Sequence, residues 1–189
     1  MAHAFDPERW YDPDSFVESW KERSGLLLDL IEQDGADVAT LKFVEFGCGP
    51  LRPFARCAAE RGAGPVTVCD LKAWSDDVVC IDLDDPHADQ FPDGSVAILS
   101  GVLEYVRNVD TAIASVLSVY DEVLMSYCPL MIGGTSLEAD VVQLEQRLKG
   151  GWKNHLTLQK LLDAIASGGY VVGCSRWTNQ VLLHIRAFR

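Results

Sequence analysis

Positive charge is scarce in this sequence. Sixteen Lys and Arg stand against 28 Asp and Glu, a formal net charge of −12, and both a phosphate backbone and an anionic lipid surface would be repelled by it. Arg52, Arg56 and Arg61 are interleaved with apolar residues and Glu60, so no basic run makes up the deficit. Nucleic acid and membranes are therefore not expected as partners. Long apolar runs are missing too: Gly25-Leu26-Leu27-Leu28 and Val96-Ala97-Ile98-Leu99 fall far short of the roughly 20 residues that span a bilayer. No charged-then-apolar leader opens the chain. The six cysteines, at 48, 57, 69, 80, 128 and 174, include no CxxC pair, and the four histidines form no cluster at metal-ligand spacing. Neither a disulfide framework nor a metal is expected, and the expected setting is a reducing one, the cytoplasm. Repeats and low-complexity linkers are absent as well. At 189 residues a single domain is the simplest organisation, large enough to bury about two-thirds of its unfolded surface.

What is present is an alternation of two rhythms. Phe16, Val17, Trp20, Leu27, Leu28 and Ile31 recur at helical spacing over Asp14 to about Glu32, after a start signal at Asp12-Pro13-Asp14 and before a stop at Asp34-Gly35. From Leu41 onward short apolar runs end in a glycine or polar residue and give way to helix-like stretches, the pattern of a mainly parallel sheet. Strands are expected at Lys42–Phe46, Val66–Cys69, Val78–Ile81, Val96–Leu99 and Glu122–Ser126, with helices at Leu51–Arg61 and Val109–Val119. Leu71–Asp77 leaves room for little more than one helical turn, so the second and third strands must be joined by an abbreviated connection. Past Pro129 the pair Gly133-Gly134 reads as a hinge or loop. Leu137–Leu148 is helical in spacing, and Thr157 is placed to cap a last helix carrying Leu158, Leu161, Leu162 and Ile165. Two terminal strands, Tyr170–Arg176 and Val181–Phe188, are separated by Trp177-Thr178-Asn179-Gln180, which suits a hairpin and is too short for a parallel crossover.

The sharpest local signal is Phe43-Val44-Glu45-Phe46-Gly47-Cys48-Gly49-Pro50, a strand that runs through an acid into a turn with two glycines and opens a helix. Glycines there let a ligand approach the backbone, and the helix start presents unpaired amides. A tight turn with no ligand is the other reading. Val68-Cys69-Asp70 places a carboxylate at the next strand's end, where it would accept both hydroxyls of a ribose. Ile81-Asp82-Leu83 ends the third strand in another acid, suited to an adenine amino group. Three acids at three successive strand ends favour a nucleotide-type ligand over a bare turn.

These residues resemble those of the class I S-adenosylmethionine-dependent methyltransferases from about Lys42 to the C-terminus. Val44-Glu45-Phe46-Gly47-Cys48-Gly49 is similar to the family's first motif, Asp70 to its ribose-binding acid, and Ile81-Asp82-Leu83 to its adenine-contacting segment. Asp93-Gly94-Ser95-Val96 through Ser100-Gly101-Val102-Leu103-Glu104-Tyr105-Val106 is similar to the fourth-strand region of its small-molecule branches, and Val106-Arg107-Asn108 to a MetW-like subgroup. Asn154-His155-Leu156-Thr157 through Gly169-Tyr170-Val171-Val172 looks like the penultimate helix and sixth strand. The resemblance implies an α/β, Rossmann-like, doubly wound sheet of seven strands, mostly parallel with an antiparallel C-terminal hairpin and helices on both faces. Residues 1–40 would form a helical lid or docking segment on a core of residues 41–189. It further implies S-adenosylmethionine as cofactor, held by Glu45, Phe46, Gly47, Cys48, Gly49, Asp70, Leu71, Asp82, Leu83, Ser100 and Gly101, and methyl transfer to a small-molecule O, N or C nucleophile. This chain departs from the pattern at Leu51, where many members have a third glycine, at Tyr105, where His is frequent, and at Ala97, where Asp is common. A non-catalytic module that has kept the fold is the alternative those departures leave open. A nicotinamide-dependent oxidoreductase is disfavoured, because its fingerprint wants glycines at 47, 49 and 52 and position 52 is Arg.

Methyl transfer from a sulfonium depends on in-line positioning and exclusion of water, with a general base optional. His155, just ahead of the last helix, is the candidate base by residue type, or else an ordinary helix-start histidine. Tyr105 would hydrogen-bond the acceptor, or else pack as a half-buried aromatic. Trp152 would line an acceptor pocket. Trp10, Tyr11, Phe16 and Trp20 would close over the cofactor or, for Phe16 and Trp20, form core contacts of a docking helix. His184 lies within a strand pattern and reads as structural.

Overall fold

The computed structural model describes residues 18–131 and 136–189. The start signal at Asp12-Pro13-Asp14, the aromatics Trp10, Tyr11 and Phe16, and the Gly133-Gly134 pair lie outside the described residues.

Five strands supply the parallel part of one sheet: β1 (Phe43–Phe46), β2 (Val66–Asp70), β3 (Val79–Cys80), β4 (Val96–Ser100) and β5 (Glu122–Tyr127). β6 (Gly169–Trp177) and β7 (Gln180–Ala187) complete a seven-stranded sheet in the order β3-β2-β1-β4-β5-β7-β6. β7 runs antiparallel to both β5 and β6. The sheet is therefore the expected doubly wound one with a terminal hairpin. Its two-residue turn, Thr178-Asn179, is tighter than the four-residue linker expected, because Trp177 pairs with Gln180.

Helices cover both faces, and the strand sequences show why. β1, β4 and β5 are buried almost throughout and largely apolar because alternate residues feed different cores. Val44, Phe46, Ala97, Leu99, Val123 and Met125 pack on one face against α3 (Val109–Val119) and α5 (Leu158–Ala166). Phe43, Val96, Ile98 and Leu124 pack on the other against α1 (Glu18–Gln33) and α2 (Pro53–Glu60). Ala97 is fully buried in the first of these cores. α4 (Leu137–Lys149) precedes α5, and the Thr157 hydroxyl caps α5 by accepting from the Lys160 amide. Between β2 and β3 no helix forms, as the short spacing requires. None of the helices among the described residues is long and apolar enough to cross a membrane.

Side chains lock the loops at the carboxyl end of the sheet. The Tyr127 hydroxyl, at the end of β5, donates to Asn154 Oδ1 at 2.5 Å and accepts the Leu156 amide at 2.8 Å. Asn154 in turn donates to the carbonyls of Leu103 and Val106 in the turn after β4. One buried tyrosine thus joins the loop before α5 to two strand ends. Tyr127→Phe would leave the Leu156 amide and Asn154 oxygen unsatisfied, so it should lower unfolding stability by about 1–3 kcal/mol in urea titration. A loss below a few tenths would show that the lock carries no strain-bearing load.

Candidate functional site

A cavity of about 380 Å³ opens above the carboxyl ends of β1, β2 and β4. Its wall includes every residue expected to hold the cofactor except Glu45. The turn after β1 is built by two left-handed glycines. Gly47 sits at φ 68°, and a Cβ there would lie 2.3 Å from Val102 Cγ2, so only glycine lets the β1 turn close against the β4 turn. Gly49, at φ 58°, meets nothing within 4 Å of a Cβ position and leaves the space above it open.

The acids divide in role. Asp70 reaches across the turn: Oδ2 accepts the Gly49 amide at 2.8 Å and Oδ1 the Lys72 amide at 3.3 Å. That fixes its carboxylate at the cavity wall, with lone pairs to spare for further donors. Asp82 lies two residues beyond β3, exposed, its Oδ1 accepting the Asp84 amide at 2.8 Å. Asp84, unremarked in the sequence, receives the amides of Arg107 and Asn108 and so ties the loop after β3 to the start of α3.

Glu45 has a different position from the one expected. Only 2% exposed, it points from β1 to the α2 side and accepts the amides of Phe54 at 3.2 Å and Ala55 at 3.0 Å. A carboxylate in the first turn of a helix satisfies orphan donors and suits the helix dipole. Glu45 holds the turn from beneath and does not face the cavity. The strand period explains this, since Glu45 shares the face of Phe43, not that of Phe46.

His155 stands just ahead of α5. It is not part of the cavity wall, because its neighbour Asn154 takes the inward position described above. Burial, aided by Arg147, lowers its pKa. Tyr105 and Trp152 do line the cavity, and Trp20 both lines it and packs against the α1/α2 core. Cys48 lines it too, but burial raises its thiol far above neutrality, so it is no thiolate nucleophile.

At the departure from the glycine pattern, Leu51 contributes to the wall and Arg52 adopts a left-handed backbone, φ 49°. The Arg52 guanidinium meets both Asp77 oxygens at 2.6 Å and holds that carboxyl well below the usual range. An ion pair to the β2–β3 connection thus supports the turn where a third glycine is common.

Among the wall residues that the sequence reading did not assign to a site are two buried charges. Arg23 from α1 is 6% exposed, and Glu104 from the turn after β4 is 2% exposed. Arg23 stands three residues after Trp20 and four before Leu27, on the apolar stripe of its helix. A charge on that stripe was the available signal.

No family model matches the chain, and no curated protein matches it in sequence. Solved structures do. An O-methyltransferase family protein from Burkholderia thailandensis superposes with a TM-score of 0.68 at 15% identity, over 98% of this chain and 64% of that one. The mitomycin 7-O-methyltransferase MmcR gives 0.67 at 11% identity, over 96% and 60%. The O-methyltransferase NcsB1 from neocarzinostatin biosynthesis, solved with S-adenosylmethionine and 2-hydroxy-5-methyl naphthoic acid, gives 0.61 at 16% identity, over 96% and 60%. The chain has the Rossmann-like fold of these methyltransferases and spans about three-fifths of their length.

Burial dominates the Glu45 carboxyl and raises its pKa to about 7, against the opposing pull of the two α2 amides. An unfolded glutamate titrates near about 4.3. The folded chain therefore holds this proton more tightly, and the stability it contributes is complete below about pH 4.3 and is lost as pH rises through about 7. Chemical denaturation at about pH 5 and about pH 8 should show the parent losing stability that Glu45→Gln does not lose. Equal slopes in the two chains would refute the raised pKa.

Proposed function

We propose that the chain binds S-adenosylmethionine in this cavity and transfers its methyl group to a small molecule. The observation that carries the reading is the open glycine turn flanked by the Asp70 carboxylate, both on the wall of one cavity at the carboxyl end of a parallel sheet. Gly49 leaves room for a ligand against the backbone, Asp70 has acceptor capacity for a ribose diol, and Leu83, buried beside Asp82, offers an apolar surface to a base. When bound, the cofactor would supply an electrophilic methyl group. The chain's residues would orient the acceptor and keep water out: Trp20, Tyr105 and Trp152 provide aromatic wall for a small ring or sugar-like acceptor. The likeness to O-methyltransferases favours a hydroxyl acceptor. Among the described residues no histidine lines the cavity, and a hydrogen bond to the acceptor would fall to Tyr105.

The same reading takes residues 1–189 as a single domain, with α1 as part of a docking segment over the core. The net charge of −12 opposes nucleic acid and anionic membranes as partners, and six unpaired cysteines suit the reducing cytoplasm.

Calorimetric titration with S-adenosylmethionine and S-adenosylhomocysteine should give dissociation constants at or below the micromolar range. Asp70→Ala should weaken both by about tenfold or more, as expected for charge-assisted hydrogen bonds to two hydroxyls. No binding by the parent, or an Asp70→Ala chain that binds equally well, defeats the cofactor pose. Binding without turnover across a panel of hydroxyaromatic acceptors would favour the non-catalytic module.

A further inference from the structure

α4 carries its amphipathic character inverted. Among its described side chains the buried one is Arg147, 4% exposed, which donates to the Pro129 carbonyl at 2.7 Å and lies 4.8 Å from the Trp152 ring centroid. Its aliphatic residues face solvent instead: Val141, Val142, Leu144 and Leu148 are 48%, 51%, 37% and 55% exposed. None of the four belongs to a core of the sheet. Single exposed aliphatics are ordinary on a protein surface, whereas a contiguous apolar stripe marks a place where something binds.

The spacing of the stripe says what shape fits it. Val141, Leu144 and Leu148 stand three and four residues apart, which sets them one above another on a single face, and the same step leads back to position 137, also Leu. This is the seam by which one helix packs along another. At 13 residues α4 is about 20 Å long, enough to seat a partner helix of about three turns.

The charges beside the stripe say what kind of helix. In the heptad that places Val141 and Leu148 at a and Leu144 at d, Glu138 and Glu145 occupy the e positions and Asp140 a g position. Arg147, at the next g position, is withdrawn into the protein, and Lys149 falls at b, off the seam. A second copy is therefore a poor occupant. Paired in parallel, Asp140 would meet Glu145 of the other copy, and paired antiparallel, Glu138 would meet it, so each arrangement sets like charges together. The net charge of −12 adds repulsion at longer range, and the same acids oppose an anionic membrane. A helix that flanks its own apolar stripe with Lys or Arg places opposite charges beside Glu138 and Glu145 instead.

We propose that the exposed face of α4 is a docking surface for a basic amphipathic helix of another protein, its apolar stripe seated on Val141, Leu144 and Leu148 and its cationic flank against Glu138 and Glu145. α4 contributes no residue to the cavity wall, so this surface stands whatever the cavity binds.

The probe is a labelled synthetic helix of about 18 residues with Leu at a and d and Lys at e and g, titrated with the full chain by fluorescence anisotropy. Two control peptides accompany it, one of the same composition with the stripe scrambled and one with Glu in place of Lys. The Lys-flanked helix should bind with a micromolar dissociation constant, about tenfold or more tighter than either control. Leu144→Glu should weaken it by about tenfold or more, and Glu145→Lys should weaken it while improving the Glu-flanked peptide. Both changes are at exposed positions and leave the fold intact. No saturable binding, or equal binding of the scrambled peptide, overturns the proposal, as does a Leu144→Glu chain that binds like the parent. Sedimentation showing a dimer that Leu144→Glu dissolves would assign the face to a second copy, and lipid-vesicle binding lost in that variant would assign it to a membrane; either result overturns the proposal.

Discussion

The contact between Glu45 and the first amides of α2 is what the cavity depends on. β1 and α2 are joined by a turn whose backbone is left-handed at Gly47, Gly49 and Arg52, a conformation that regular hydrogen bonding does not maintain. Glu45 spans its two ends by accepting the Phe54 and Ala55 amides from a position inside the α1/α2 core. The turn is thereby fixed from below, its upper surface remains free, and Asp70 accepts the Gly49 amide from the side. A single buried carboxylate, held protonated more readily than a free one, thus shapes a ligand surface that it does not touch.

A second set of polar contacts does comparable work on the far side of the sheet. Tyr127 and Asn154 bind the turn after β4 to the loop before α5, and Arg147, buried beside them, donates to the Pro129 carbonyl at 2.7 Å and lies over Trp152. These contacts set where Glu104, Tyr105 and Trp152 stand. The cavity is therefore walled by apolar and aromatic surface, with its ionisable groups concentrated at two ends: Asp70 and Asp82 at one, Arg23 and Glu104 at the other. That distribution fits an elongated ligand that is polar at both extremities, and it is why a nucleoside with a charged tail is a better match than a plain apolar guest.

Much of this architecture was legible in the residues. The bounds of α3 follow from the helical period of its buried residues, and the near-coincidence of β1, β2, β4 and β5 with their apolar runs from burial on both faces, which leaves the strands largely apolar. The antiparallel hairpin followed from a linker too short to cross over. Glu45 and His155 stand off the cavity wall for one shared reason: proximity in sequence to a motif does not fix the direction of a side chain. Glu45 lies on the strand face opposite Phe46, and His155 stands beside Asn154, which takes the inward place. Arg23 was passed over because it is distant from every motif.

The sequence by itself determined the order of elements, the two-faced burial of the strands, the positions that demand glycine and the acid that ends β2. These are local matters of side-chain period, backbone freedom and linker length. Only the tertiary structure decided which polar groups share one cavity. Arg23 lies far before Gly101 in the chain and meets it only because α1 packs beside β7 at the end of the sheet, so the charge pair there exists through packing between distant segments. The glycine turn announces where a ligand approaches; the packing of α1 and the turn after β4 decides what lies at its other end.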